Sequence, residues 1–176
     1  DDGLTAGIRT FVGGNCTVSL MLMALSGLFA GNHIEWISAM TYQAASGGGA
    51  KNMKELIAQM GILGNVAKDL VDDPKSSAIV VDEMVTAAMR DVGFPTENFM
   101  APLAGSLLPW IDVPMESGQT REEWKGSVET NKILRTETPI PIDGVCVRVG
   151  AMRCHSQGLT IKLKNDIPLN EIEDIL

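Results

Sequence analysis

The sequence predicts an α+β domain in which a mixed β-sheet carries helices packed mainly on one face. Apolar and polar residues alternate along 33–42, 144–153 and 159–164, which is the period of a β-strand. Apolar residues recur every three or four positions along 53–70, which is the period of a helix. Strands and helices follow one another in mixed order, and the short connections cannot all be parallel crossovers.

The length of 176 residues fits one compact domain with a sizeable core, or a domain cut from a longer chain. The chain begins at Asp1 without a methionine and ends in a short helix predicted to start at Pro168. We therefore expect an internal piece of a larger protein.

The charge balance argues against a nucleic-acid partner. Asp and Glu outnumber Lys and Arg by 22 to 14, and there is no basic run to bind phosphates. The longest apolar run, 18–30, is interrupted by two serines and a glycine and falls short of the ~20 residues of a membrane span. We expect neither nucleic acid nor membrane as a partner.

The three cysteines, Cys16, Cys146 and Cys154, lack the spacing of metal ligands, and the two histidines do not complete a zinc site. We expect no metal. Free thiols indicate a reducing, cytoplasmic compartment.

The stretch Gly13-Gly14-Asn15-Cys16-Thr17 precedes a strongly apolar helical run. Phe11 and Val12 before it are predicted to form a short strand. Asn15 is a good N-cap, which places Cys16 in the first turn, where free N–H groups and the helix dipole favour an anion such as a thiolate. The alternative is a buried structural cysteine, because a free cysteine packs as a small hydrophobe.

The strand predicted at 33–42 leads into Gln43–Ala50, which contains three successive glycines. Such glycines let the backbone approach a ligand, and a flexible turn is the alternative. His33, after a turn, is interpreted as a solvated loop residue. The helix that follows is expected to bury the apolar stripe Met53, Leu56, Ile57, Met60, Leu63, Ala67 and Leu70.

A loop is predicted at 72–77 and a second helix at 82–90, with Val85, Ala88 and Met89 facing inward. The apolar segment 94–112 contains three prolines and is expected to lie against a partner or a second domain.

Thr120 and Glu123 fit a capping box, which predicts that a helix begins there. Glu122 and Lys125 are three residues apart and share a face near its start; the alternative is a surface ion pair of little energetic value.

In the strand predicted at 144–153, Val145, Val147, Val149 and Ala151 form the apolar face, and Arg148 points to the other side. A buried arginine there needs an anionic partner. His155 falls at the join of two strands, from which it can face a cleft.

Four motifs resemble bacterial aspartate-semialdehyde dehydrogenase, most closely the enzymes of Gram-negative bacteria. They are Gly13–Thr17, Tyr42–Ala50, Arg121–Gly126 and Val147–Gln157. They occur in the family's order, and the likeness runs through all 176 residues.

The resemblance implies the fold of the glyceraldehyde-3-phosphate-dehydrogenase-like C-terminal catalytic domain. It assigns 1–176 to the catalytic and dimerisation domain, without the N-terminal dinucleotide-binding domain. The implied reaction is the reductive dephosphorylation of L-aspartyl-4-phosphate to L-aspartate 4-semialdehyde with NADP as cofactor, on the route to lysine, threonine and methionine. The implied assembly is a homodimer.

The resemblance also implies roles for single residues. Cys16 is the nucleophile that forms an acyl-thioester, and His155 is the acid/base residue. Gln43 orients the substrate, while Arg148 and Glu122 clamp it.

Three further kinds of contact follow from the same resemblance. Lys125 is expected to bind phosphate, and Ser46, Gly47 and Pro74 are expected to contact the cofactor. Most of the NADP site would lie outside this chain.

The residues suit this chemistry. A thiolate can cleave an acyl phosphate and give an adduct that accepts hydride. Arg148 offers two parallel donors to a carboxylate, Glu122 a carboxylate to an ammonium group, and Lys125 a point charge to phosphate.

Three alternatives remain. N-acetylglutamyl-phosphate reductase shares the cysteine and histidine, but its acylated substrate nitrogen gives Glu122 nothing cationic to hold. A thiol hydrolase could use Cys16 and His155. The chain could also be a non-catalytic, dimerising scaffold.

Overall fold

The computed structural model describes residues 2–176 and has the predicted α+β class, with a mixed sheet of four strands together with helices. The strand order in the sheet is β2-β3-β1-β4, and β2 pairs antiparallel with β3. The strands are β1 (Ile34–Gln43), β2 (Leu107–Leu108), β3 (Ile142–Val149) and β4 (Ser156–Leu163). The helices are α1 (Asp2–Thr5), α2 (Cys16–Ala24), α3 (Ser26–Ala30), α4 (Ala50–Asp72), α5 (Ala78–Met89), α6 (Arg121–Leu134) and α7 (Leu169–Ile175).

The chain divides into two compact units. The first contains the residues up to Ser38, Trp124–Asp143 and Thr160–Leu176. The second contains Ala39–Glu123 and Gly144–Leu159.

In the first unit, Asn15 caps α2 as predicted, and Val18 and Met21 of this helix are buried. The strand predicted at Phe11 and Val12 is wrong, because residues 8–15 adopt no regular structure. The side chains of Phe11 and Val12 are 67% and 91% exposed, so no burial of their apolar surface stabilises a strand there.

In the second unit, the predicted buried stripe of α4 is only partly right. Leu56 is buried, but Ile57 is 52% exposed. The helix instead turns two polar residues, Glu55 and Gln59, into the interior. Polar groups can be buried where they find hydrogen-bond partners, and both residues find them in the segment 95–104.

Glu55 accepts three hydrogen bonds from this segment. The backbone N and Nδ2 of Asn98 each lie 2.6 Å from Oε2, and the backbone N of Phe99 lies 3.0 Å from Oε1. The carboxylate thus satisfies donors in a stretch that has no helix or strand of its own.

Gln59, one turn later, makes three more hydrogen bonds. Its Oε1 accepts from the backbone N of Leu103 and of Ala104 at 2.8 Å each, and its Nε2 donates to the carbonyl of Pro95 at 2.7 Å. This part of the segment predicted to face a partner or a second domain packs against α4 of its own unit. The buried cluster there contains Ala45, Leu56, Leu103 and Ala104.

Helix α5 starts four residues earlier than predicted, because Ser77 caps it by accepting from the backbone N of Ile79 at 3.2 Å. Val85, Ala88 and Met89 are half-buried. The loop predicted at 72–77 is present at 73–77, because α4 extends to Asp72.

The capping box that starts α6 is also confirmed. The backbone N of Glu123 donates to Thr120 Oγ1 at 3.3 Å, and the backbone N of Thr120 donates to Glu123 Oε2 at 2.7 Å.

The alternation predicted for β3 is confirmed, and the buried face is the one that bears Arg148. Ile142, Cys146 and Arg148 are the buried positions, and Val145 is 37% exposed. Alternation separates the two faces of a strand without saying which one is covered. In β4 the alternation of half-buried and exposed residues is as predicted.

No helix within residues 2–176 combines the length and the apolar character needed to cross a membrane.

Replacing Glu55 by Leu should strongly destabilise the chain. The change leaves three donors of Asn98 and Phe99 without their acceptor, which we expect to lower the free energy of unfolding by about 3 kcal/mol. Urea denaturation measures this. The exposed Glu83 of α5 is the matched control, and Glu83→Leu should change stability by less than about 0.5 kcal/mol. Equal effects of the two changes would refute the role of Glu55.

Candidate active site

Cys16 is the first residue of α2, and its thiol is free and exposed. Asn15 Oδ1 accepts hydrogen bonds from the backbone N of Thr17 at 2.9 Å and of Val18 at 3.2 Å. It also accepts from Thr17 Oγ1 at 2.7 Å. The cap therefore places Cys16 at the positive end of a helix, and the alternative of a buried structural cysteine is wrong.

Lys125 belongs to the same unit as Cys16 and is half-buried on α6. Glu129 and Ile133 follow it at four-residue intervals, so the three share one face of the helix. The last two lie against the turn that precedes Cys16.

In the second unit, Arg148 and His155 meet at the backbone of Ala44. The Ala44 N–H donates to His155 Nδ1 at 3.1 Å, and the Ala44 carbonyl accepts from Arg148 Nη1 at 2.7 Å. Since Nδ1 is the acceptor, the neutral imidazole of His155 carries its proton on Nε2.

A short 3-10 turn, Ala45–Gly48, follows directly and contains Ser46 and Gly47. A Cβ added at Gly47 would lie 2.8 Å from Arg148 Nη1 and 3.2 Å from His155 Nε2. Glycine is thus the residue that lets this turn pass so close to both side chains. The turn is anchored at its start, where the backbone N of Ala45 and of Ser46 donate to carbonyls of Ala151 and Met152 at 2.8 and 3.1 Å.

Gln43 and Glu122 form a second buried pair in this unit. Gln43 Nε2 donates to Glu122 Oε1 at 3.4 Å and to Thr41 Oγ1 at 3.1 Å. Gln43 and Glu122 are both buried, so Glu122 is not the exposed ion pair considered as an alternative.

Cys146 lies close to this pair and is buried. Burial raises the pKa of its thiol to about 11, and the carboxylates of Glu122 and Glu123 act in the same direction. Hydrogen bonds with Thr41 and Gln43 oppose this rise only in part. Cys146 is therefore a protonated, packed thiol.

Arg148 also lines a cavity of about 500 Å³ in the second unit. The wall of this cavity includes residues of the segment that Glu55 and Gln59 hold. Its other lining residues include Asn52, Leu108, Trp110 and Asp112.

Pro74 was predicted to contact the cofactor together with Ser46 and Gly47, but it lies at the other end of α4 from them. It is exposed and follows the end of α4, whereas Ser46 and Gly47 precede the start of that helix. A helix of 23 residues is about 35 Å long, so α4 separates Pro74 from the turn.

The structure thus groups most of the predicted site residues in the second unit. These are Gln43, Ser46, Gly47, Glu122, Arg148 and His155, while Cys16 and Lys125 belong to the first. Sequence reasoning missed Ala44, Glu129 and Thr41. Ala44 and Glu129 act through contacts with residues more than one hundred positions away, and such contacts leave no local pattern.

Solved structures of aspartate-semialdehyde dehydrogenases resemble this chain. The enzyme from Francisella tularensis is 41% identical with a TM-score of 0.89, and the match covers 99% of this chain and 47% of that one. Aspartate-semialdehyde dehydrogenase II from Vibrio cholerae, complexed with ASA, is 28% identical with a TM-score of 0.72, covering 93% and 41%. The enzyme from Candida albicans with NADP shares the fold at 15% identity and a TM-score of 0.53, covering 99% and 38%.

The chain spans less than half the length of these relatives. Residues 25–176 match the family described as "Semialdehyde dehydrogenase, dimerisation domain". The chain therefore belongs to the semialdehyde dehydrogenase dimerisation domain family, as its resemblance to aspartate-semialdehyde dehydrogenase led us to expect.

Proposed function

We propose that this chain is the catalytic and dimerisation part of an enzyme that reductively dephosphorylates L-aspartyl-4-phosphate to L-aspartate 4-semialdehyde. The observation that carries the proposal is the exposed Cys16 thiol at a capped helix N-terminus, in a chain of this family. The reaction supplies an intermediate for lysine, threonine and methionine synthesis.

In the proposed reaction, the Cys16 thiolate attacks the acyl carbon of the substrate and phosphate leaves, which yields a thioester. Hydride then adds to the thioester carbon, and the resulting thiohemiacetal releases the aldehyde and the thiolate. Cys16 lies at the N-terminus of α2 throughout this cycle.

The substrate carries a carboxylate, an ammonium group and a phosphate. We assign the carboxylate to Arg148, whose guanidinium can donate two parallel hydrogen bonds. Glu122, with Gln43 as its neighbour, suits the ammonium group, and Lys125 suits the phosphate. Glu122 favours this substrate over an N-acylated one, which has no cation to offer.

His155 is the proposed acid/base residue. Its Nδ1 is occupied by the Ala44 N–H, so the neutral ring presents an N–H at Nε2. This tautomer suits donation of a hydrogen bond to the substrate oxygen that becomes negative as hydride arrives. Taking the thiol proton of Cys16 at Nε2 requires the other neutral tautomer, with its hydrogen on Nδ1, and therefore requires that the hydrogen bond from the Ala44 N–H be broken. In this proposal the imidazolium formed in that way returns the proton to the thiohemiacetal oxygen after hydride transfer.

NADP is the proposed cofactor, and its reduced form, NADPH, would supply the hydride when bound. Ser46 and Gly47 fit a cofactor contact, because Gly47 is exposed and its bare backbone lies beside Arg148 and His155. Pro74 does not fit a contact with the same end of the cofactor. The remainder of the NADP site is expected in a separate nucleotide-binding domain.

A homodimer is the proposed assembly, in keeping with the family's description. The second unit exposes large apolar side chains that a partner subunit could cover, among them Met100, Leu107, Trp110 and Val113.

The chain should form a covalent adduct with L-aspartyl-4-phosphate at Cys16. Intact-mass and peptide mass spectrometry would locate the acyl group. Cys16→Ser should abolish the adduct, and Cys154→Ser, which removes the other exposed thiol, should leave it unchanged. Cys146 should stay unmodified near neutral pH, because its pKa of about 11 keeps the thiol protonated. Acylation at Cys154 instead would contradict the assignment of the nucleophile.

Arg148→Lys should slow adduct formation by about ten- to a hundredfold at low substrate concentration. Lysine keeps the charge but loses the bidentate geometry, which is worth about 1.5–3 kcal/mol. Reactions quenched at a series of times and analysed by mass spectrometry give the second-order rate constant of adduct formation. The exposed Arg90 provides a control, and Arg90→Lys should react at the original rate. An unchanged rate for Arg148→Lys would remove Arg148 from the substrate site.

Gly47→Ala should also slow adduct formation, by at least about tenfold. The added methyl group would lie 2.8 Å from Arg148 Nη1 and so displace the guanidinium from the Ala44 carbonyl. In Gly61→Ala the methyl group meets open space on α4, so the same chemical change should leave the rate intact. Matching rates for the two variants would mean that the close approach at Gly47 is unimportant.

A further inference from the structure

The turn that leads into Cys16 is held by a residue from α6. The backbone N–H of Asn15 donates to Glu129 Oε2 at 2.9 Å, across 114 positions of the chain. A Cβ at Gly14 would lie 3.4 Å from Ile133 Cδ1 and 3.8 Å from the same carboxylate oxygen. One face of α6 therefore supports the two residues before the nucleophile.

This contact completes the hydrogen-bond pattern of a capping box at the start of α2. In a capping box, the N-cap side chain accepts from the N–H of the third helical residue, whose own side chain accepts from the N-cap N–H. Asn15 provides the first half through Val18 N. Val18 cannot provide the second half, because its side chain is apolar. Glu129 provides it instead from another helix.

The support matters because of what precedes α2. Residues 8–15 have no regular structure, so the start of α2 is not anchored by a strand before it. The hydrogen bonds of Asn15 fix that start: its carbonyl accepts from Ser19 N at 2.9 Å, and its side chain accepts from Thr17 and Val18. A carboxylate makes a stronger acceptor for its N–H than a neutral group does.

We propose that Glu129 is a positioning residue that completes the N-terminal cap of α2 and so fixes the backbone from which Cys16 projects. It acts through Asn15 and does not contact the reacting atoms. The inference rests on the proposed function only in treating Cys16 as the nucleophile. The cap itself is independent of that function.

The test compares two conservative changes. Glu129→Asp keeps the charge but is one methylene too short to reach Asn15, and Glu129→Gln keeps the reach and an acceptor oxygen. Amide hydrogen exchange at Asn15 and the rate of Cys16 alkylation by iodoacetamide, relative to exposed Cys154, are measured on the whole chain. Glu137→Asp, at an exposed glutamate, is the control.

We expect Glu129→Asp to speed exchange of the Asn15 amide by about fivefold or more and to slow Cys16 alkylation by about fivefold. Glu129→Gln, which keeps the acceptor oxygen and loses only the charge, should show a clearly smaller effect than Glu129→Asp in both measurements, and Glu137→Asp should resemble the original chain. Unchanged exchange in Glu129→Asp, or equal losses in the Asp and Gln variants, would overturn the proposal. If Cys16 of the original chain reacts no faster than Cys154, the nucleophile assignment fails, and Asn15 exchange still decides the role of Glu129.

Discussion

The backbone of Ala44 holds the polar side chains of the second unit in one arrangement. Its N–H is bonded to His155 and its carbonyl to Arg148, and the residue is completely buried. The N–H and the carbonyl of Ala44 cannot move freely, because the backbone N–H groups of the next two residues, Ala45 and Ser46, donate hydrogen bonds to carbonyls in the segment after β3. The orientations of the His155 imidazole and of the Arg148 guanidinium thus depend on the backbone that directly follows β1. Gly47 then keeps the space between them open.

Buried polar residues contribute to the form of the second unit beside its apolar cluster. Gln43 pairs with Glu122, and Glu55 and Gln59 hold the segment 95–104. Removing such groups from water is costly unless each finds partners, so their positions are defined by hydrogen-bond geometry. Arg148 lines the cavity that this segment helps to form. The candidate site is in this way supported by a polar framework as well as by the sheet.

The local features of the fold were predictable from the sequence. Asn15 and the Thr120–Glu123 box cap helices through hydrogen bonds that span only two or three residues, so the sequence pattern contains both partners. The long strands were predictable because alternation persists over many residues. The position of Cys16 in the first turn of α2 was also predictable, because the N-cap Asn15 marks where that helix begins.

The rest depends on contacts that no local pattern encodes. The covered face of β3 bears Cys146 and Arg148, which the sequence could not indicate, because alternation separates two faces without saying what lies opposite either of them. Glu55 interrupts the apolar stripe of α4 because its partners are more than forty residues away. The same holds for Ala44 and Glu129, whose partners lie farther still. Burial of a polar residue is visible only once its partner is known.

The pairing of α4 with the segment 95–104 also sets how long that segment can be. Glu55 and Gln59 stand one helical turn apart, about 6 Å along the axis. The donors that they hold, Phe99 and Leu103, are likewise four residues apart. The spacing of Glu55 and Gln59 on the helix therefore fixes the number of residues between the two donors. The side chains between Phe99 and Leu103 can vary, but an inserted or deleted residue would move one backbone N–H out of hydrogen-bond distance of its acceptor on α4. In related chains this irregular stretch should consequently be constant in length even where its residues differ.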